Sequence, residues 1–102
     1  MTKVLLDKVT LLRKTYFSKP LVVGYCSDVA ILIGSLMQGE GHSVHIAYGE
    51  CSGCYHMWLL VDGIAIDPSR DCAMQQGEFV RLVNANEYKT LSTEAFNIKD
   101  FY

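Results

Sequence analysis

Residues 55–69 read Tyr-His-Met-Trp-Leu-Leu-Val-Asp-Gly-Ile-Ala-Ile-Asp-Pro-Ser. Asp62-Gly63 is a dipeptide suited to closing a two-residue β-hairpin, because both turn positions need a positive φ that these residues tolerate. The flanking runs, Tyr55 to Val61 and Ile64 to Ile66, are apolar and partly β-branched, so they read as its two strands. With that turn, Val61 faces Ile64. Continuing the ladder outward brings His56 and Asp67 within two positions of direct opposition, and their parity puts them on one face. A base and the carboxylate that orients it need that arrangement.

Upstream, Ser43 to Gly49 alternates, with Val44, Ile46 and Tyr48 directed one way and His45 and Ala47 the other. That is a strand, joined to the hairpin by a turn-rich Glu50 to Gly53. Further back, Leu-Val-Val-Gly-Tyr leads into Cys26, followed by Ser27 and Asp28, which are suited to capping a helix. The helical spacing of Val29, Ile33, Leu36 and Met37 runs to Gly39-Glu-Gly41, a C-terminal stop. Residues 2–18 set Leu5, Val9, Leu12 and Tyr16 near one helical face, and Pro20 marks the end of that amphipathic helix. Downstream, Glu78 to Val83 fits a further strand; the tail from Asn86 is ambiguous, with Thr93-Glu94-Ala95-Phe96 compatible with a short helix. Two helices followed by an antiparallel sheet predict an α+β fold, and the 102 residues predict one domain spanning the chain.

The composition agrees: half of the residues are hydrophobic, 20% are charged and only two are proline, as in a domain with a real core. A formal net charge of −2, without a run of Lys and Arg, argues against nucleic acid as a partner. The basic start is not followed by an uninterrupted apolar stretch, so no signal peptide is expected. The most apolar region, Leu21 to Met37, carries Asp28 and is short for a bilayer, so no membrane association and a cytoplasmic location are expected.

In that setting the cysteines Cys26, Cys51, Cys54 and Cys72 are expected as thiols rather than a disulfide framework. A thiol is a strong nucleophile only as thiolate, and a helix N-terminus beside a histidine favours that form. Cys26 meets the first condition. Of the three histidines, His42 falls in a Gly-flanked turn, His45 has no evident acidic partner, and His56 has Asp67. Taken singly, Cys26 reads as a small buried hydrophobe, His56 as a core histidine and Asp67 as a cap before proline; their joint occurrence carries the reading. Cys51-Ser52-Gly53-Cys54 lies between strands, not at the strand-to-helix turn a redox pair needs. Zinc held by Cys51, Cys54, His56 and Cys72 is the lesser alternative, lacking a second tight pair and consuming His56. No metal or cofactor is expected. Trp58, Tyr48 and Tyr55 read first as core residues.

The segment Gly24-Tyr25-Cys26-Ser27-Asp28-Val29-Ala30, with Gly41 and the strand after it, resembles the G-x-C-x-D-x-A segment of transglutaminase-like, papain-type thiol enzymes. His56-Met57-Trp58 resembles that family's H-x-W motif, and Asp67-Pro68-Ser69 its D-P-T/S. The likeness spans roughly residues 21–70, and the compact size looks like the leader peptidases of lasso-peptide pathways. It departs where the family often has an acidic residue and a second Trp, since Leu59-Leu60 and Ile64 stand there. The resemblance implies a papain-like core with a nucleophile helix on an antiparallel sheet. It implies Cys26 as nucleophile, His56 as base and Asp67 as orienter, with Ser27 and Trp58 supporting the site. The implied activity is that of a cysteine peptidase or amidase acting on a peptide or protein, with a substrate-presenting partner protein as a further expectation. The alternative is a non-catalytic peptide- or protein-binding module on the same fold.

Overall fold

The computed structural model describes residues 2–16, 26–51, 53–68, 80–97 and 99, without the side chains of Cys26 and Cys54. The elements run α1 (Thr2–Tyr16), α2 (Cys26–Gly39), β1 (Val44–Cys51), β2 (Cys54–Val61), β3 (Ile64–Asp67), β4 (Arg81–Leu82) and β5 (Tyr88–Ala95). The strands form one antiparallel sheet in the order β4-β3-β2-β1-β5, which makes this an α+β fold with helices on one face of a five-stranded sheet.

Helix α1 buries Leu5 and Val9 and packs Leu12 against the core. Tyr16 is exposed, and Arg13 is the residue buried near that end, so the expected apolar face ends a turn early. Helix α2 begins at Cys26, which places Ser27 and Asp28 within its first turn and not outside it as caps. Asp28 there complements the positive end of the helix dipole. Val29, Ala30, Ile33 and Met37 enter the core with Ile46, Leu59, Val61 and Ile66 of the sheet. Each large apolar side chain removed from water in this layer contributes about 1.5–3 kcal/mol.

The helix ends where Gly39 and Gly41 predicted. Gly41 adopts φ +96°, its N–H donates to the Gln38 carbonyl at 3.0 Å, and the His42 N–H donates to the Met37 carbonyl at 3.2 Å. This pair of bonds satisfies the last helical carbonyls and turns the chain into β1.

β1 runs two residues past Gly49, so Glu50 and Cys51 belong to the strand, and Gly53 before β2 takes φ +84°. In β2–β3 the register pairs Val61 with Ile64, Leu60 with Ala65 and Leu59 with Ile66, as the Asp62-Gly63 turn predicts. Asp62 and Gly63 adopt φ +52° and +82°. The expected strand over Glu78 to Val83 is narrower: Arg81 and Leu82 pair with β3, while residues 78–79 lie outside the description. Thr93 to Ala95 are not helical. They continue β5 along β1, and Phe96 then enters the core after its N–H donates to the Val44 carbonyl at 3.0 Å. Pairing with β1 and burial of Phe96 override a weak local helical preference.

α2 lies along β2 in the same direction. Ser27 shares a cleft with Met57, Gly34 packs on Leu59, and the Gln38 side chain donates to the Phe96 carbonyl at 3.2 Å. The N-terminus of α2 therefore stands at the end of the sheet that carries His56.

Candidate active site

His56 and Asp67 meet. His56 Nε2 lies 2.9 Å from Asp67 Oδ2, and both side chains are wholly buried. Continuing the β2–β3 ladder one step beyond Leu59–Ile66 sets Asp67 against Trp58, so His56 reaches the carboxylate along the diagonal. A carboxylate only accepts, so against ionised Asp67 the donor is Nε2–H, and Nδ1 is the nitrogen at which the ring can gain or lose a proton.

Aromatic packing fixes the imidazole. The His56 and Trp58 rings stack with centroids 6.1 Å apart and planes 29° apart, and the Tyr88 ring meets Trp58 edge-on at 5.1 Å. Ala47, Cys51, Trp58 and Tyr88 form a second apolar cluster, with Ala65 and Val83 against it. This cluster occupies the sheet face opposite the one that α2 covers.

The pair is also extended by residues that sequence reasoning missed. The Tyr88 hydroxyl donates to Asp67 Oδ2, Arg81 Nε donates to the Tyr88 hydroxyl at 3.1 Å, and Arg81 forms an ion pair with Glu87. The Arg81 guanidinium also lies over the Tyr88 ring, 5.1 Å from its centroid. Burial first, and then the neighbouring Asp67 charge, raise the Tyr88 phenol above its ordinary range. Burial opposes the charge on Arg81, but hydrogen bonds to Glu87 and Tyr88 more than offset it and raise the guanidinium above its ordinary value. The signal available in the sequence was the run Tyr88-Lys-Thr-Leu-Ser-Thr, which is aromatic and β-branched and reads as a strand.

Cys26 is the first residue of α2, and its thiol lies outside the described residues. Its neighbour Ser27 lines an open cleft of about 340 Å³ with Tyr48, Tyr55, Met57, Leu91 and His56. His56 is 4% exposed as a residue although its side chain is fully enclosed, so the cleft touches it through the main chain. The structure thus brings His56, Asp67 and Trp58 together and brings Ser27 to the same end of the sheet, with the imidazole and α2 on opposite faces.

The other histidines have different surroundings. His45 is exposed on β1. His42 has an acidic partner: its Nδ1 lies 2.7 Å from Asp62 Oδ2 at the opposite end of the sheet. Cys51 is a free, buried thiol opposite Cys54 across the β1–β2 pair. Cys72 and Ser69 lie outside the described residues.

Comparison of the chain with protein-family models, with curated proteins and with solved structures finds no match. No helix among the described residues is long and apolar enough to cross a membrane.

Proposed function

We propose that this chain is a thiol acyl-transfer enzyme with a transglutaminase-like, papain-type core, acting as a peptidase or amidase on a peptide or protein. The observation that carries the reading is the buried His56–Asp67 hydrogen bond at the end of the sheet where α2 begins. A fully buried His–Asp pair is costly to assemble for stability alone, since apolar residues of similar volume serve as well.

In the proposed reaction the Cys26 sulfur, as thiolate, attacks the substrate carbonyl carbon. The free backbone N–H groups at the start of α2 stabilise the oxyanion that forms. The C–N bond breaks as imidazolium His56 gives its Nδ1 proton to the departing amine, leaving a thioester on Cys26. Neutral His56 then takes a proton from water. The resulting hydroxide adds to the thioester, and the C–S bond breaks to release the carboxylic acid and the thiolate. An amine in place of water gives transamidation. Throughout, Asp67 holds Nε2–H and balances the imidazolium charge.

The test is iodoacetamide labelling at neutral pH followed by mass spectrometry. Cys26 is expected to react faster than Cys51, Cys54 and Cys72, and His56→Ala is expected to abolish the difference. Equal, slow labelling of Cys26 would sink the activated-thiolate reading.

One observation favours a second reading, a binding module on the same fold. The imidazole is fully enclosed and sits on the sheet face away from α2, as a structural polar core would. In that case Cys26→Ala leaves the biological effect of the protein unchanged, whereas the enzyme reading requires its loss.

A further inference from the structure

We propose that the cleft beside the start of α2 is a subsite for one large apolar residue, aromatic or aliphatic, in the acyl half of a peptide substrate, and that Leu91 and Tyr55 set this preference. That the occupant belongs to a substrate rests on the thiol-enzyme reading; the preference itself is read from the walls of the cleft.

Four elements build these walls. Ser27 comes from α2, Tyr48 from β1, Tyr55 and Met57 from β2, and Leu91 and Ser92 from β5, around a space of about 340 Å³. That volume is at the small end of ligand sites and suits a single large side chain. Leu91 reaches the cleft through an irregularity of the sheet. Tyr48 pairs with Ser92 and Gly49 with Thr90, so Leu91 has no partner on β1. A bulge of this kind re-aims a side chain and is common beside binding sites.

The cleft also holds apolar surface in water. Leu91 is 54% exposed and Tyr55 is 83% exposed, and both border the same space. The other large apolar residues exposed among those described, Val4, Leu11 and Tyr16 on α1 and Leu82 on β4, are no part of it. An apolar side chain seated there removes Leu91 and Tyr55 from water together with its own surface, which is favourable. A charged one fares worse. Among the described residues no Lys, Arg, Asp or Glu lines the cleft, and His56 reaches it through the main chain. A charge would lose hydration there without gaining an opposite charge.

The location supplies the link to the reaction. Ser27 directly follows Cys26 at the start of α2. Consecutive Cα atoms are about 3.8 Å apart, so a residue seated against Ser27 lies within one or two positions of a carbonyl reacting at Cys26. The acyl half of the substrate stays on the sulfur through both steps, so it is the half that this subsite holds throughout.

The test uses two series of chloromethyl ketones, N-acetyl-Gly-Xaa and N-acetyl-Xaa-Gly, with Phe, Leu, Ala or Lys as Xaa. The Cys26 sulfur displaces chloride to form a thioether, which mass spectrometry locates. Each rate is divided by that of the same reagent with N-acetylcysteine, which removes differences in intrinsic reactivity. In at least one series the Phe or Leu reagent is expected to label Cys26 about tenfold faster than the Lys reagent. In Leu91→Glu, and independently in Tyr55→Glu, the preference is expected to fall and to move toward Lys, because the new carboxylate gives the cation a partner. Both positions are exposed, so either variant serves if the other fails to fold. Equal corrected rates in both series, or a preference unmoved in the folded variants, overturns the proposal. Iodoacetamide separates the two readings. An apolar preference at a Cys26 that iodoacetamide labels no faster than the other cysteines supports the subsite and overturns the enzyme reading. Fast iodoacetamide labelling without any preference among the peptide reagents overturns the subsite and leaves the enzyme reading standing.

Discussion

Gly49 leaves the space that the Trp58 ring occupies. A Cβ at residue 49 would stand 2.8 Å from that ring and 2.0 Å from the Lys89 carbonyl oxygen, closer than real contacts allow. Gly49 lies directly opposite His56 on β1, at the point where the β1–β5 register shifts. The aromatic bed of the imidazole therefore depends on a missing side chain one strand away. Gly49→Ala must push β5 or Trp58 aside, and a cost of about 1–3 kcal/mol or more is expected. Urea denaturation followed by Trp58 fluorescence measures it, and a loss under about 0.5 kcal/mol would mean that the strands yield freely.

Gly41 offers a contrast, because nothing lies within 4 Å of a Cβ built there. Its constraint is the φ of +96° that ends α2. Gly41→Ala is expected to cost about 1 kcal/mol through backbone strain alone, and Gly41→Asn less, since Asn enters the left-handed region more readily. Thermal melts of the two variants separate conformational from steric causes.

Asp67 accepts from both His56 and Tyr88 inside the protein. Asp67→Ala removes the acceptor for two buried donors, with an expected loss of about 3–5 kcal/mol. Asp67→Asn keeps the volume and one acceptor oxygen, so its stability loss is expected to be smaller. Its effect on Cys26 labelling should nevertheless be large, because the amide carries no charge to balance an imidazolium. A double measurement, denaturation and labelling, tests this; equal losses in both variants would show that Asp67 acts through packing only.

Acid stability is expected to report Asp62. The His42 side chain and the Ser43 backbone N–H, the latter 2.9 Å from Asp62 Oδ1, hold this exposed carboxyl below its ordinary value of 3.8. A carboxyl that titrates lower in the folded chain stabilises it fully above the unfolded value, and that contribution is lost as pH falls through the folded value. Asp62→Asn tolerates the same turn and removes the charge, so the fall in stability below about pH 4 should be shallower in the variant. Because the pair is exposed, added salt should shrink the difference.

Much of this molecule was legible because its signals are local. The Asp62-Gly63 turn set the β2–β3 register, and that register brought His56 and Asp67 within reach before any coordinates were needed. Gly41 ended α2 for a reason intrinsic to glycine. The misreadings fall where distant contacts decide. Thr93 to Ala95 have no strong preference of their own and become strand because β1 offers a partner. Tyr16 continued the helical spacing, yet the core ends before it.

The amino-acid order by itself determined the two helices, the central hairpin and the pairing of an imidazole with a carboxylate, since turn type and side-chain alternation act between near neighbours. Only the tertiary structure decided that Arg81 and Tyr88 complete the line to His56, and that the imidazole is on the face away from α2. The first fact depends on how β4 and β5 join the two edges of the sheet, and the second on which face of β2 helix α2 covers. Edge strands are recruited by whatever partner remains unpaired, and no local pattern in their own residues encodes that choice.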